Sequence, residues 1–316
     1  MRRRYLAKLA AIAALGALPV GIASAEVSCD GGDARAFAWL DKMASSMHET
    51  SYHGVATLQR RDDMQVIQVS HMVAGGASSE RLTQLTGQGA RVDRHAHPLG
   101  CKHPGQMLLK AGSRLSGGDC GIADHYRFSI DGNERVAGRA AVRIRIRPLD
   151  VYRYGYQLAL DRETGLLLKT VTYGHGDKVL EKFQYANLSL GDSLPGTADV
   201  EVVHRAQHPH PDSSSLDAPV RRAWSVRWLP RGFTATDSPQ AVSGRRSYTD
   251  GLAVFSVFME ELERGLRPGE GVVRDGGTTS YTRGMSLDGQ PVLVTVIGEV
   301  PVNTARMVAD SVNWEQ

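Results

Sequence analysis

The clearest alternation of apolar and polar side chains in this chain begins at residue 142. Residues 142–147 alternate apolar and cationic side chains, and neighbouring side chains of a β-strand point to opposite faces. One face of this strand is therefore buried and the other solvated, which is typical of antiparallel sheets. Further strand-like runs follow at residues 154–160, 166–173 and 179–185. Gly165 tolerates positive φ and closes the turn between the runs at 154–160 and 166–173. The four runs together predict a meander of about four strands.

The region before this meander predicts one helix and several short strands. Asp33 is a suitable helix cap, and apolar residues follow it at helical spacing: Ala36, Trp39, Leu40, Met43 and Met47. Strand patterns lie at residues 52–60, 64–73, 80–85 and 126–130. Residues 95–122 have poor periodicity and many Gly and His residues, so we expect a loop there. Together these elements predict a curved antiparallel sheet or an open β-barrel, with one packed helix.

A second, smaller unit is predicted after residue 220. Residues 206–220 are dense in proline and serine, which is typical of a linker. Beyond them, residues 247–251 form a predicted turn, and strand patterns lie at 252–259, 278–285 and 292–297. A final helix carries the apolar stripe Ala305, Val308, Ala309 and Val312, with Asn303 or Thr304 as its cap. The predicted domain is a three- or four-stranded α+β sheet covered by one helix.

The first 25 residues have the layout of a secretory signal. Four basic residues precede an apolar run at 9–22, which ends in Ala23, Ser24 and Ala25. The alternative, a membrane anchor, needs about 20 apolar residues. We therefore expect cleavage before Glu26, export, and domains at residues 26–205 and 221–316. Without those four basic residues, 33 basic residues (37 − 4) face 34 acidic ones, so no nucleic-acid-binding character remains.

The three cysteines are candidates for one disulfide, because export permits oxidation. Cys101 and Cys120 enclose a loop rich in glycine and polar residues, and they are the preferred pair. Cys29 is then a free thiol, unless it pairs with one of the other two.

No catalytic or cofactor motif is present in the sequence. Two histidine pairs, His95 with His97 and His208 with His210, lie beside prolines, and a third metal ligand at a recognisable spacing does not accompany them. We expect incidental surface histidines and assign no catalytic residue, metal or cofactor. An exported hydrolase using these histidines is the weakest hypothesis.

The predicted sheet has more apolar surface than its helices can cover. Any remainder would form a concave site for an acyl chain or an apolar peptide, although a filled core fits the sequence equally well. The candidate cavity residues are Val142, Ile144, Ile146, Tyr156, Leu158, Leu160, Phe183 and Tyr185.

Several segments together resemble the RseB/MucB family of periplasmic regulators of the envelope-stress sigma factor. They occur in order along nearly all of the chain after the signal, at residues 51–54, 80–82, 136–139, 152–156, 160–166, 228–233, 248–258 and 294–301. The resemblance implies a large unclosed barrel, like that of lipoprotein carriers, followed by a small α+β domain. The resemblance implies no catalytic residues in this chain.

The resemblance also implies a function and partners. Family members bind the periplasmic part of a membrane anti-sigma factor and shield it from proteolysis. Lipids, lipopolysaccharide or lipoprotein acyl chains are expected to release them, with residues 209–219 as the hinge. A periplasmic lipid or lipoprotein carrier is the alternative, and the sequence leaves a homodimer open.

Overall fold

The structure is a computed structural model that describes residues 32–74, 76–87, 91–98, 121–191, 222–236, 244–263 and 269–315. Two antiparallel sheets contain most of these residues. One α-helix packs on each sheet, so the fold class is α+β, as the sequence predicts.

The first sheet has nine strands and is unclosed. Its strands in chain order are β1 Tyr52–Arg60, β2 Asp63–Ala74, β3 Ala77–Gln84, β4 Arg91–Pro98, β5 Tyr126–Val136, β6 Arg139–Pro148, β7 Gly155–Asp161, β8 Leu167–Tyr173 and β9 Val179–Leu190. Their order in the sheet is β4-β3-β2-β1-β9-β8-β7-β6-β5, and β1 pairs with β9. The meander from β6 to β9 is confirmed, and the β1–β9 pairing joins it to the first four strands.

Strand β6 shows why the sheet has one dry face. Val142, Ile144 and Ile146 are each at most 4% exposed, whereas the arginines between them lie on the other face. The buried residues pack beneath helix α1, Ala34–Glu49. The Asp33 side chain caps this helix by accepting a hydrogen bond of 2.9 Å from the backbone N–H of Arg35. The predicted helix and its cap are confirmed.

The second sheet has six strands and its own core. The elements of this part are β10 Trp224–Val226, β11 Thr234–Ala235, β12 Arg245–Thr249, β13 Val254–Glu261, β14 Glu270–Asp275, β15 Thr278–Leu287, β16 Gln290–Gly298, helix α2 Val302–Asp310 and β17 Val312–Trp314. The sheet order is β11-β12-β13-β16-β15-β14, while β10 pairs separately with β17. Trp224, Phe255, Tyr281 and Trp314 dominate this core, with the apolar side of α2 packed on it.

Five details of the sequence-based predictions are wrong. Val312, predicted in the apolar stripe of the last helix, begins strand β17 instead, because the helix ends at Asp310. Strand β4 occupies the start of the expected loop at residues 95–122, and β12 occupies most of the expected turn at 247–251. The second sheet has more strands than predicted, because β14 is exposed at every residue and lacks an apolar alternation. Helix α2 begins one residue after Pro301, whose φ of −57° already suits a helix start, so neither Asn303 nor Thr304 is the cap.

Some predictions fall outside the described residues. They include the signal at residues 1–25, the cysteines Cys29, Cys101 and Cys120, and the linker at 206–220 with its hinge. These stay predictions.

Candidate functional site

Helix α1 is fastened across the concave face of the first sheet by the turn between β7 and β8. Lys42 Nζ donates to the carbonyls of Arg162 at 3.1 Å and Glu163 at 2.8 Å, and Ser46 Oγ donates to the carbonyl of Thr164. Gly165 closes this turn at φ +88°, and a Cβ there would lie 2.7 Å from Cγ of Lys42. The close approach of helix and turn therefore requires glycine.

The same turn is organised by the Asp161 carboxylate. It accepts hydrogen bonds from Arg139 at 3.0 and 2.9 Å and from the backbone and hydroxyl of Thr164 at 2.9 and 2.7 Å. Burial alone would raise the pKa of Asp161, but these hydrogen bonds outweigh it and hold the pKa below its usual 3.8. The carboxylate is thus stabilised in its charged form.

An apolar cavity of about 220 Å³ lies between the end of α1 and strands β1, β2, β3 and β9. The residues that line it are Met47, Tyr52, Val69, Glu80, Leu82, Leu166, Leu167, Phe183, Tyr185 and Leu188. Sites for whole drug-sized ligands usually measure roughly 300–1,000 Å³, so this volume suits one segment of an acyl chain or an apolar side chain.

Two tyrosines form the polar end of this cavity. The rings of Tyr52 and Tyr185 stand edge to face with centroids 6.4 Å apart. Burial, and then the nearby Glu80 carboxylate, raise the pKa of Tyr52 to about 12. Burial also raises the pKa of Tyr185, so both phenols are uncharged near pH 7.

A second, more open cavity of about 520 Å³ lies on the other side of α1. Trp39, Ile130 and Val142 contribute apolar surface to it. Arg35, Lys42 and Arg162 add positive charge, although Arg35 is paired with Asp33 at 2.7 Å.

The structure distributes the eight candidate cavity residues over three places. Phe183 and Tyr185 line the first cavity, and Val142 lines the second. Four residues lie in the filled core beneath α1: Ile144, Ile146, Leu158 and Leu160. Tyr156 packs against the same core, and its hydroxyl is buried without a hydrogen-bond partner among the described residues.

Sequence reasoning missed most of the first cavity. Tyr52, Val69 and Leu82 come from β1, β2 and β3, whose alternation is weak because many of their residues are only half-buried. Their contribution depends on the β1–β9 pairing, which joins strands far apart in the chain.

A buried ion pair joins the two sheets. Arg153 follows β6 and donates through Nε to Asp250 at 2.7 Å, with both side chains fully buried. Arg153 also contacts Asp150 and the carbonyl of Arg231. The hydroxyl of Tyr126 donates to the same Asp250 oxygen at 2.9 Å. A buried charge pair with this many partners fixes one docked arrangement of the two sheets.

Further contacts extend this interface along β1 and α2. Arg60 bridges Glu181 of its own sheet at 2.7 Å and Asp275 of the second sheet at 3.0 Å. Thr304 of α2 donates to the carbonyl of Tyr152 at 3.0 Å. None of these interface contacts could be found from sequence patterns, because their partners are far apart in the chain. Arg153 and Asp250 are 97 residues apart, and Arg60 and Asp275 are 215 apart.

Within the described residues, no group of three or more His, Cys, Asp and Glu side chains is arranged to hold a metal ion. His95 and His97 fall in β4. No α-helix in the described ranges is long and apolar enough to cross a membrane.

Two family models match consecutive parts of the chain. The MucB/RseB N-terminal domain matches residues 35–206, and the MucB/RseB C-terminal domain matches residues 219–313. The chain belongs to the MucB/RseB family. The matches place the nine-stranded sheet in the first family domain and the six-stranded sheet in the second.

Curated relatives in this family are named as sigma factor regulators. The "Sigma factor AlgU regulatory protein MucB" of Pseudomonas aeruginosa is 34% identical over 295 residues, which are 88% of this chain and 90% of that protein. The "Sigma-E factor regulatory protein RseB" of Haemophilus influenzae is 30% identical over 198 residues, 61% of each protein.

Solved structures of MucB share the fold. A crystal structure of MucB in complex with MucA(peri) has a TM-score of 0.68 and 32% identity, and covers 89% of this chain and 99% of that one. A crystal structure of MucB has a TM-score of 0.59 and 32% identity, and covers 90% of this chain and 99% of that one.

Proposed function

We propose that this chain is an exported, periplasmic regulator of an envelope-stress sigma factor, which binds the periplasmic part of a membrane anti-sigma factor and shields it from proteolysis. The observation that carries this proposal is the likeness to MucB in its complex with MucA(peri), which extends over 89% of the chain. The proposal needs no catalytic residue in this chain.

The docked arrangement of the two sheets supports a partner-binding state. The chain superposes with a higher TM-score on MucB in the MucA(peri) complex, 0.68, than on MucB alone, 0.59. The buried Arg153–Asp250 pair and the Arg60–Asp275 bridge hold this arrangement. We propose that the described arrangement is the form that binds the anti-sigma factor, which the greater likeness to the complex supports.

The first cavity is the proposed acyl-chain site through which a lipid releases the partner. Phe183 and Tyr185 of β9 line it, and two residues before Phe183 lies Glu181, which binds Arg60. Arg60 in turn reaches Asp275 of the second sheet. An acyl chain that displaces the β9 side chains would therefore strain the Arg60 bridge between the sheets. The lipid and the anti-sigma factor would then favour different arrangements of the two sheets.

The test is capture of the periplasmic part of the cognate anti-sigma factor on immobilised protein, with and without lipopolysaccharide, followed by exposure of the complex to protease. We expect capture, protection of the captured segment, and release by the lipid. Absence of capture would reject the function, whereas unchanged capture in saturating lipid would reject only the lipid switch.

A cavity-filling variant separates the two parts of the proposal. Leu82→Trp puts a large ring into the first cavity, and it should keep partner binding while weakening lipid release. Leu85→Trp is the matched control, because Leu85 is 51% exposed and lies outside the cavity lining. Equal lipid sensitivity of both variants would remove the cavity from the mechanism.

The cavity also favours a lipid or lipoprotein carrier as the second candidate function. A carrier would extract a labelled lipid from donor vesicles and deliver it to acceptors without the anti-sigma factor. Transfer that is stoichiometric and unaffected by the anti-sigma segment would support this alternative over the switch.

A further inference from the structure

The outer face of strands β5 to β9, opposite α1, carries a concentration of positive charge. Backbone pairing places residues on a common face: Arg127 lies opposite Arg147, Arg145 opposite Gln157, and Lys182 opposite Val171. Arg139 also alternates onto this face, but Asp161 and Glu163 pair with it at 2.9 Å each. Six further cations share the face: Arg127, Arg143, Arg145, Arg147, Lys169 and Lys182.

Few acids balance these cations. Glu134 binds Lys169 at 2.8 Å, and Asp177 in the β8–β9 turn lies 3.9 Å from Arg145. Asp177 is 83% exposed, so it weakly screens its partner. The face therefore keeps an excess of positive charge although the chain as a whole is nearly neutral.

Arg127 and Arg147 are the most informative pair on this face. They lie directly opposite each other on neighbouring strands, and both are exposed. Neither forms an ion pair within the described parts of the chain. Like charges directly opposite each other destabilise a sheet, so packing within the sheet does not account for this pair.

Two exposed apolar residues follow the end of strand β6. The backbone N–H of Leu149 donates to the carbonyl of His125 at 2.9 Å, which continues the β5–β6 ladder by one step. By strand alternation Leu149 therefore lies on the side of Arg145 and Arg147. Leu149 is 52% exposed, and Val151 just beyond it is 68% exposed.

We propose that the outer face of β5–β9, with Leu149 and Val151 at its end, docks on an anionic lipid membrane surface. Cations beside exposed apolar residues are the combination that holds peripheral proteins at a membrane interface. The face points away from the apolar cavity beneath α1, so surface docking and acyl-chain uptake use different sides of the sheet. This inference goes beyond the proposed function and does not depend on it.

The test is co-sedimentation of the mature full chain with vesicles, without any anti-sigma factor. Vesicles of phosphatidylcholine mixed with phosphatidylglycerol should bind the chain, and binding should weaken steadily as salt rises. Pure phosphatidylcholine vesicles should bind far less. Salt-insensitive binding that is equal for both compositions would overturn the proposal.

Paired variants locate the surface. The double variant R127Q/R147Q should partition about 30-fold more weakly onto the mixed vesicles. Its thermal midpoint should be unchanged or higher, because the like-charge contact is relieved. The control R227Q/R306Q removes two exposed arginines from the other sheet's side of the molecule and should bind almost as the parent does.

The apolar residues are tested separately. L149S/V151S should weaken partitioning about 10-fold while leaving the salt dependence in place. Parent-like partitioning of both R127Q/R147Q and L149S/V151S would overturn the proposal. A chain that binds soluble polyglutamate as well as it binds mixed vesicles would overturn it too, and would point to an acidic polypeptide as the occupant.

Discussion

At the scale of single residues, the arrangement depends on a few fully buried side chains. Arg153 and Asp250 are both charged and both inaccessible to solvent, a combination that is unfavourable unless every polar atom is paired. Here Asp250 accepts from Arg153 and Tyr126 and from the backbone N–H groups of Leu252 and Ala253. The pair therefore specifies how the sheets meet.

Asp250→Ala should destabilise the protein by about 3–5 kcal/mol, because it leaves Arg153 buried without its main partner. Urea unfolding measures this change. The double variant R153M/D250A should lose less free energy of unfolding than the sum of the losses of R153M and D250A. Asp62→Ala is the control, since Asp62 is exposed in the turn between β1 and β2. An equal loss of stability in the Asp250 variant and in the control variant would contradict the description of the interface.

Ile144→Asp should cost more than about 4 kcal/mol or prevent folding, because it buries an unpaired charge under α1. Ser189→Asp, at an exposed position of β9, should be close to neutral. Thermal unfolding of the two variants is the measurement. Parent-like stability of the Ile144 variant would mean that the faces of β6 are inverted.

At the scale of elements, the local sequence pattern was enough to predict a strand wherever that strand has one fully buried face. The arginine–apolar alternation of β6 and the Asp33 cap of α1 were predictable for that reason. Strand β14 was not, because all of its residues are exposed and only its pairing with β15 makes it a strand. The cavity was only partly predictable, since the sheet's apolar face is divided between core and cavity by where α1 lies.

The turn that holds α1 should make stability sensitive to acid. The pKa of Asp161 is lowered in the folded protein, so its contribution is present above the unfolded value of about 3.8 and is lost as pH falls through the folded value. Asp161→Asn should therefore be less stable than the parent at pH 7, and the difference should shrink in acid. Asp62→Asn, in an exposed turn, should show no such convergence. A constant difference at all pH values in denaturant unfolding would contradict this role.

At the scale of the whole molecule, the chain is two sheets joined through a buried, hydrogen-bonded ion pair, with an apolar cavity between α1 and the first sheet. The division at residues 206–220 and the hinge stay predictions, because those residues lie outside the described ranges. The interface itself could not be predicted, as it depends on partners such as Arg60 and Asp275 that only the fold brings together.

The most direct test of the account measures binding of the mature full chain to a labelled peptide that spans the periplasmic part of the cognate anti-sigma factor. Fluorescence anisotropy of the peptide reports the binding. The account predicts saturable binding by the parent, and weaker binding by Asp250→Ala under conditions where that variant stays folded. Failure of the parent chain to bind this peptide at any accessible concentration would contradict the proposed function.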